Sequence, residues 1–383
     1  MKKRKLTELV QNLATQYPII TITGPRQSGK TTLAKMAFPD MQYVNLENPD
    51  YRRLALADGR SFLDRFPDNT IIDEVQRVPE LLSYLQVHVD AQPKMGRYIL
   101  TGSNQFQYMQ SISQSLAGRT AMIQLLPFSI DEIYKDADIS LEKAIYTGFY
   151  PAIFDRQIDP TRYYSDYLET YLTRDVRQIA TVHDLSTFEQ FIRLCAGRCG
   201  QLLNLESLGN ELGVNAKTIR RWLNILQASY IIFLLPPYYR NFNKRITKTP
   251  KLYFFDAGLA AFLLNIENAV QLETHPLRGN LFENLVIGEF LKMRYNRGSR
   301  ANMYFLRDQN GREVDLLLET GGKLLPIEIK SAKSINKSLF KGLNYFKKIL
   351  PECDQTYLVY AGDLQGKWQD HELVRFNCIV NKF

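Results

Sequence analysis

The octapeptide Gly24-Pro25-Arg26-Gln27-Ser28-Gly29-Lys30-Thr31 constrains this chain more than any other feature of its sequence. It follows the apolar-rich segment Tyr17–Thr23 and runs into Thr32-Leu33-Ala34, so the order reads strand, glycine loop, helix. Such a loop turns its backbone N–H groups around a phosphate, and the dipole of the following helix favours the same negative charge. Gly24 to Thr32 are therefore the expected nucleotide-binding residues. Lys30 is expected to reach the β- and γ-phosphates of ATP, and the Thr31 hydroxyl to bind Mg2+.

A second segment completes the site. Thr70-Ile71-Ile72-Asp73-Glu74 reads as an apolar strand ending in two acids. Asp73 is expected to hold magnesium through water, and Glu74 to activate the attacking water. A kinase or a simple GTP switch has no obvious need of Glu74, so hydrolysis that drives motion is favoured. Tyr98–Asn104 is another strand ending in small polar residues, at the position where motor ATPases sense the γ-phosphate. Asn104 is the expected water-positioning residue, ahead of Ser103; simple turn capping is the plain alternative. Arg119, and Arg174 or Arg177, are candidate arginine fingers, and the sequence does not choose among them. A finger supplied by a neighbour implies a homo-oligomer.

At 383 residues the chain is long enough for two to four domains. Its longest apolar run, Tyr230–Pro237, has strand length, well short of the roughly 18–20 residues that cross a bilayer. No apolar segment follows the basic start Met1–Lys5, and a cytoplasmic protein without membrane contact is the simplest expectation. Cys195, Cys199, Cys353 and Cys378 lack a histidine or second pair at zinc spacing, so reduced, packed thiols are expected. The net charge of +8 is compatible with nucleic acid without proving it. Part of that charge is local: Arg240, Lys244, Arg245, Lys248 and Lys251 form one run, and Lys330 to Lys348 carry another.

The first unit, 1–150, is therefore expected to be the P-loop ATPase, followed by a helical connector over 151–187. Within 188–265, Leu205–Leu212, the turn Gly213-Val214-Asn215 and Ala216–Leu226 have helix–turn–helix spacing, with Lys217, Arg220 and Arg221 on the second helix. Strand-like Tyr230–Leu235 and Lys251–Phe255 enclose a long basic stretch, which together suggest a winged helix. Contact with DNA, or docking of a protein partner, would both suit it. Tyr163, Tyr164, Tyr167 and Tyr171 recur at helical spacing and read as packing between this module and the ATPase.

In 275–383, Arg278–Ile287 looks like a helix start with Glu283 in an early turn. Val314–Glu319, the turn Thr320-Gly321-Gly322 and Leu324–Lys330 read as a hairpin. Strand alternation puts Glu313 and Asp315 on one face, and Glu328 and Lys330 on one face. Asp315 and Glu328 are then placed to share magnesium, Lys330 to orient or activate water for phosphodiester cleavage, and Glu283 to add a ligand. A surface ion pair explains Glu328 and Lys330 equally simply.

The whole chain resembles a family of prokaryotic ATPases in which an AAA-type P-loop domain precedes a C-terminal domain similar to the restriction-endonuclease-like, PD-(D/E)xK, fold. The resemblance rests on Gly24–Thr31, Asp73-Glu74-Val75-Gln76, Thr101-Gly102-Ser103, Leu116–Arg119, Lys251–Leu259, Gly279–Asn284, Glu313-Val314-Asp315 and Glu328-Ile329-Lys330. Gly148-Phe149 departs from the glycine pair usual before Tyr150-Pro151. The resemblance implies an ATPase with a role in DNA or defence. The leading expectation is ATP hydrolysis coupled to remodelling of branched or duplex DNA, which the C-terminal domain binds or cuts with Mg2+. The alternatives are a DNA-binding ATPase with a non-catalytic C-terminal domain, and a nucleotide-switched ATPase that acts through protein partners.

Overall fold

A computed structural model describes residues 2–92, 94–103, 115–134, 139–172, 176, 185–238, 248–349, 353 and 355–383. The first unit opens with α1 (Leu6–Ala14) and folds around a sheet of β1 (Ile19–Thr23), β2 (Gln42–Asn45), β3 (Thr70–Asp73), β4 (Tyr98–Thr101) and β5 (Thr120–Gln124). The spatial order is β2-β3-β4-β1-β5, and every pairing is parallel. Parallel neighbours need crossovers, supplied here by α2 (Lys30–Ala37), α3 (Pro49–Ala57), α4 (Gly59–Arg65) and α5 (Leu81–Ala91). Strands covered on both faces are apolar throughout. Ile20, Ile71 and Ile99 enter one core with Leu6 and Leu33; Ile19, Ile72 and Leu100 enter another with Phe62 and Leu81. The parallel register brings the C-terminal ends of β1 and β3 together, and the phosphate-type loop leaves from that edge.

The middle of the chain is mostly helical. It comprises α6 (Leu141–Thr147), α7 (Pro151–Asp155), α8 (Pro160–Tyr171), α9 (Leu185–Gly197), α10 (Leu205–Leu212) and α11 (Ala216–Ala228), then the antiparallel pair β6 (Ile232–Leu235) and β7 (Lys251–Phe254), and α12 (Ala257–Leu263). Asn204 and Asn215 cap α10 and α11 by accepting from backbone N–H groups, and Gly213 takes the left-handed conformation between them. Leu202 adds an antiparallel bridge to Lys251, so β7 lies between two neighbours. Lys217, Arg220 and Arg221 are exposed on α11. Of the expected basic wing, Arg240, Lys244 and Arg245 fall outside the described residues, and Lys248 is exposed. Lys251, the last of that charge run, opens β7 instead: it is 2% exposed and faces acids of the last unit.

The last unit begins with α13 (Arg278–Asn296), continues through β8 (Met303–Arg307), β9 (Glu313–Thr320) and β10 (Lys323–Lys330), and then α14 (Lys341–Ile349), β11 (Thr356–Tyr360), β12 (Gly366–Trp368) and β13 (His371–Arg375). β8, β9 and β10 form an antiparallel meander that turns at Gly321-Gly322, and β11 joins β10 in parallel after the α14 crossover. One buried apolar cluster runs from Leu126 through Phe188, Trp222 and Tyr253 to Phe290 and Ile379. The middle and last units thus share a core rather than meeting at a wet interface. No helix among the described residues is long and apolar enough to cross a membrane.

Candidate functional site

The loop between β1 and α2 can exist only with its glycines. Gly24 has φ +143°, and a Cβ there would lie 2.1 Å from the Leu125 carbonyl oxygen. The Lys30 ammonium, buried, donates to the carbonyls of Gly24 at 3.1 Å and Pro25 at 2.7 Å. Thr31 Oγ1 donates to both Asp73 carboxylate oxygens, at 3.0 and 3.1 Å, across the β1–β3 gap. The Tyr43 hydroxyl donates to Asp73 at 2.7 Å, and Thr101 Oγ1 also bonds it. Burial, then the Asp73 charge, holds the Tyr43 hydroxyl protonated well beyond the ordinary phenol range. A hydroxyl and a carboxylate at this spacing are hard oxygen donors, the chemistry magnesium prefers.

Glu74 follows in a left-handed conformation, φ 57°. The Gln76 amide donates to Glu74 Oε2 and, at 3.0 Å, to Ser103 Oγ. Ser103 therefore stands beside the acid, while Asn104 lies outside the described residues. Tyr43 was not singled out from sequence, and Gln76 and Thr101 stood there within quoted motifs without a role of their own.

Of the candidate fingers, Arg174 and Arg177 lie outside the described residues. Arg119 precedes β5, at the end of the sheet opposite the loop, where it pairs with Asp90 at 2.6 Å. The length of β1 separates that end from Gly24, about 17 Å for five strand residues. Arg119 cannot serve the loop of its own chain.

The second constellation lies on the last sheet. Asp315 on β9 and Glu328 on β10 are buried neighbours, and the Lys330 ammonium bridges them at 2.8 and 2.7 Å. Asp315 also accepts from the Ile329 N–H at 2.8 Å. Burial, then the adjacent Asp315, pushes the Glu328 carboxyl up to about 8, and its Oε2 has no hydrogen-bond partner. Gly342 lets α14 pass over this pair: a Cβ there would lie 2.1 Å from the Glu313 carbonyl oxygen and 2.7 Å from Glu328 Oε2.

On the other side of Asp315, the carboxylates of Glu283, Glu313 and Asp315 gather within 4.8 Å of one another. The expected set of Glu283, Asp315 and Glu328 is thus divided: Glu313, not Glu328, groups with Glu283 and Asp315. Into this group projects Lys251 from β7, bonded to Glu283 at 2.9 Å and to Glu313. Tyr253 OH donates to the same Glu283 oxygen at 2.5 Å. Burial alone would favour a neutral Lys251; the carboxylates of Glu283, Glu313 and Asp315 outweigh it and hold the ammonium charged. In front of the acids, an open cleft of about 880 Å³ is rimmed by Arg307, Arg312, Lys341 and Lys348.

Residues 16–134 match the model of the AAA domain, 138–270 a domain of unknown function (DUF8612), and 278–379 a second such domain (DUF4143). The first unit is accordingly an AAA-type P-loop ATPase domain with an α/β core. The chain is 30% identical over 350 residues to the uncharacterized protein Rv2008c of Mycobacterium tuberculosis, covering 90% of this chain and 77% of that one. It matches the uncharacterized protein Mb2031c of Mycobacterium bovis to the same extent, 30% over 350 residues with 90% and 77% covered. A Walker-type ATPase of Pyrococcus abyssi aligns over 68% of this chain and 95% of its own, at 14% identity and a TM-score of 0.45, too weak a likeness to carry an argument.

Proposed function

The chain belongs to the family of the mycobacterial protein Rv2008c, and from that premise we propose that it is a magnesium-dependent ATPase that binds DNA and whose C-terminal domain holds the nucleic acid without cutting it. The observation that carries the second half is Lys251. Its ammonium is fixed among Glu283, Glu313 and Asp315, so an internal cation stands where a catalytic metal would share these acids.

In the ATPase, Lys30 neutralises the outer phosphates, and the Gly24–Gly29 backbone wraps them. Thr31 and Asp73 are the residues that would hold magnesium, which supplies charge neutralisation on the phosphates. Glu74 accepts the proton of the attacking water, and Gln76 and Ser103 aim its carboxylate. Arg119, on the outer end of the sheet, serves the loop of a neighbouring copy in an oligomer.

The DNA reading draws on charge placed by the fold. The order α9, Leu202 bridge, α10, α11, β6, β7 is that of a winged helix, and α11 offers Lys217, Arg220 and Arg221 to solvent. The order helix, antiparallel meander, helix, parallel strand is that of a restriction-endonuclease-like core. Its basic rim suits phosphate contacts. A second reading, cleavage by the last domain, is favoured by the Asp315–Lys330–Glu328 contacts.

The test is magnesium-dependent ATP hydrolysis and strand cleavage, measured together on single-stranded, duplex, forked and four-way DNA. Hydrolysis stimulated by DNA and weakened by salt, lost in Lys30→Ala and Glu74→Gln, without cleavage, is the expected result. Cleavage lost in Asp315→Ala would replace the holding role by a nuclease. Hydrolysis indifferent to every DNA at low salt would sink the DNA reading and favour a nucleotide switch acting on proteins.

A further inference from the structure

The phosphate loop faces the middle unit across an open cleft. A cavity of about 810 Å³ separates it from the start of the middle unit, with Lys30, Thr31 and Glu74 on one wall and Pro151, Asp155 and Arg156 on the other. The walls are close: a Cβ on Gly29 would be 3.8 Å from Pro151 Cγ. Arg156 caps the C-terminus of α7 and is exposed into this space. Its guanidinium has no hydrogen bond or ion pair among the described residues, whereas Lys30 is engaged by its own loop.

We propose that Arg156 is the guanidinium that binds the terminal phosphate of the nucleotide within the same chain. The proposal rests on reading Gly24–Thr31 as a triphosphate site. An arginine fork matches two phosphate oxygens at once, and an unpaired one beside a phosphate loop has no competing partner to give up. Arg119 is excluded from this role by its place at the far end of the sheet. The elements on either side of Arg156 tie the loop to the rest of the molecule. Tyr163 OH, on α8, donates to the Gln27 side chain of the loop at 3.0 Å. Phe149, just ahead of α7, donates its N–H to Asp256 at 2.8 Å, and Tyr164 OH donates to the other Asp256 oxygen at 2.6 Å. Asp256 lies just beyond β7, the strand that carries Lys251.

Equilibrium binding of ADP and of a non-hydrolysable ATP analogue, with steady-state hydrolysis, tests this in the full chain. Arg156→Ala is expected to leave ADP affinity within about twofold, weaken the ATP analogue about tenfold, and lower kcat by about 10³-fold or more. Arg156→Lys is expected to recover part of the affinity and little of kcat. Equal weakening of ADP and analogue, or unchanged kcat with unchanged thermal midpoint, would overturn the proposal. Lys30→Ala distinguishes the two levels. If it binds like wild type, the triphosphate reading itself fails; if it alone loses binding, only the role of Arg156 fails.

Discussion

His371 is packed where a charge is unwelcome. Its ring stacks on Phe340 at 4.5 Å between centroids, and Nδ1 shares a 2.6 Å hydrogen bond with Thr356. Burial, then the Lys347 charge, lowers its affinity for a proton, and Asp370 opposes this only in part. A depressed histidine stabilises the fold above its ordinary titration range and loses that contribution as pH falls through and below it. Between pH 7.5 and 5.5 the wild-type midpoint is expected to shift downward relative to that of His371→Gln, the raised Glu328 carboxyl acting in the opposite direction in both. A slope unchanged by the substitution would remove His371 as its source. Thiol labelling offers a second check at this scale. Cys195 and Cys199 are buried, and burial pushes both thiols far from ionisation. Cys353 and Cys378 are half-buried and are expected to react first in the native protein, the other two only on unfolding.

These residues also mark what could be read from sequence. Gly24–Thr31 and Asp73-Glu74 were legible because each is contiguous and sits at the end of an apolar strand. Lys251 was legible only as one member of a basic run at the start of a strand, since a lysine there gives no sign of an acid 32 residues away. Arg156 was invisible for the same reason: its meaning lies in the loop across the cavity.

Among the elements, the β9–β10 hairpin followed from alternation and the paired glycines, and the observed register sets Leu316 opposite Ile327. Its side-chain pattern carried Asp315, Glu328 and Lys330 to one place. What alternation could not supply was the third dimension, the helix laid over the pair. α14 approaches at Gly342, where even a methyl group meets backbone. Gly342→Ala is expected to cost about 1–3 kcal/mol of overpacking, read from the denaturant midpoint, and to weaken DNA binding as the helix lifts Lys341 and Lys348. Full stability in that variant would mean that α14 sits further out than described.

For the whole molecule, the ATPase unit is fastened to α13 by a buried pair. Lys292 Nζ bonds Glu289 at 2.8 Å and the Phe128 carbonyl at 2.9 Å, and Glu289 accepts from the Ile130 N–H at 2.8 Å. Both side chains are almost fully buried, so removing one strands the other. Lys292→Met is expected to cost about 3–5 kcal/mol, and Glu289→Gln with Lys292→Met to recover part of it. Because these bonds cross between units, the loss is expected in a single unfolding transition followed by fluorescence and by hydrolysis. Separate transitions would show that the units do not unfold together.

Lys251 has one more consequence. Being covalently attached, its ammonium faces Glu283 and Glu313 at an effective concentration that dilution does not change when the hairpin is seated, of millimolar order or above for a short tether. It is a competitor that dialysis cannot remove. A dissolved divalent ion gains these carboxylates only by displacing the strand, so its apparent affinity there measures the cost of moving β7 as much as the strength of the acids.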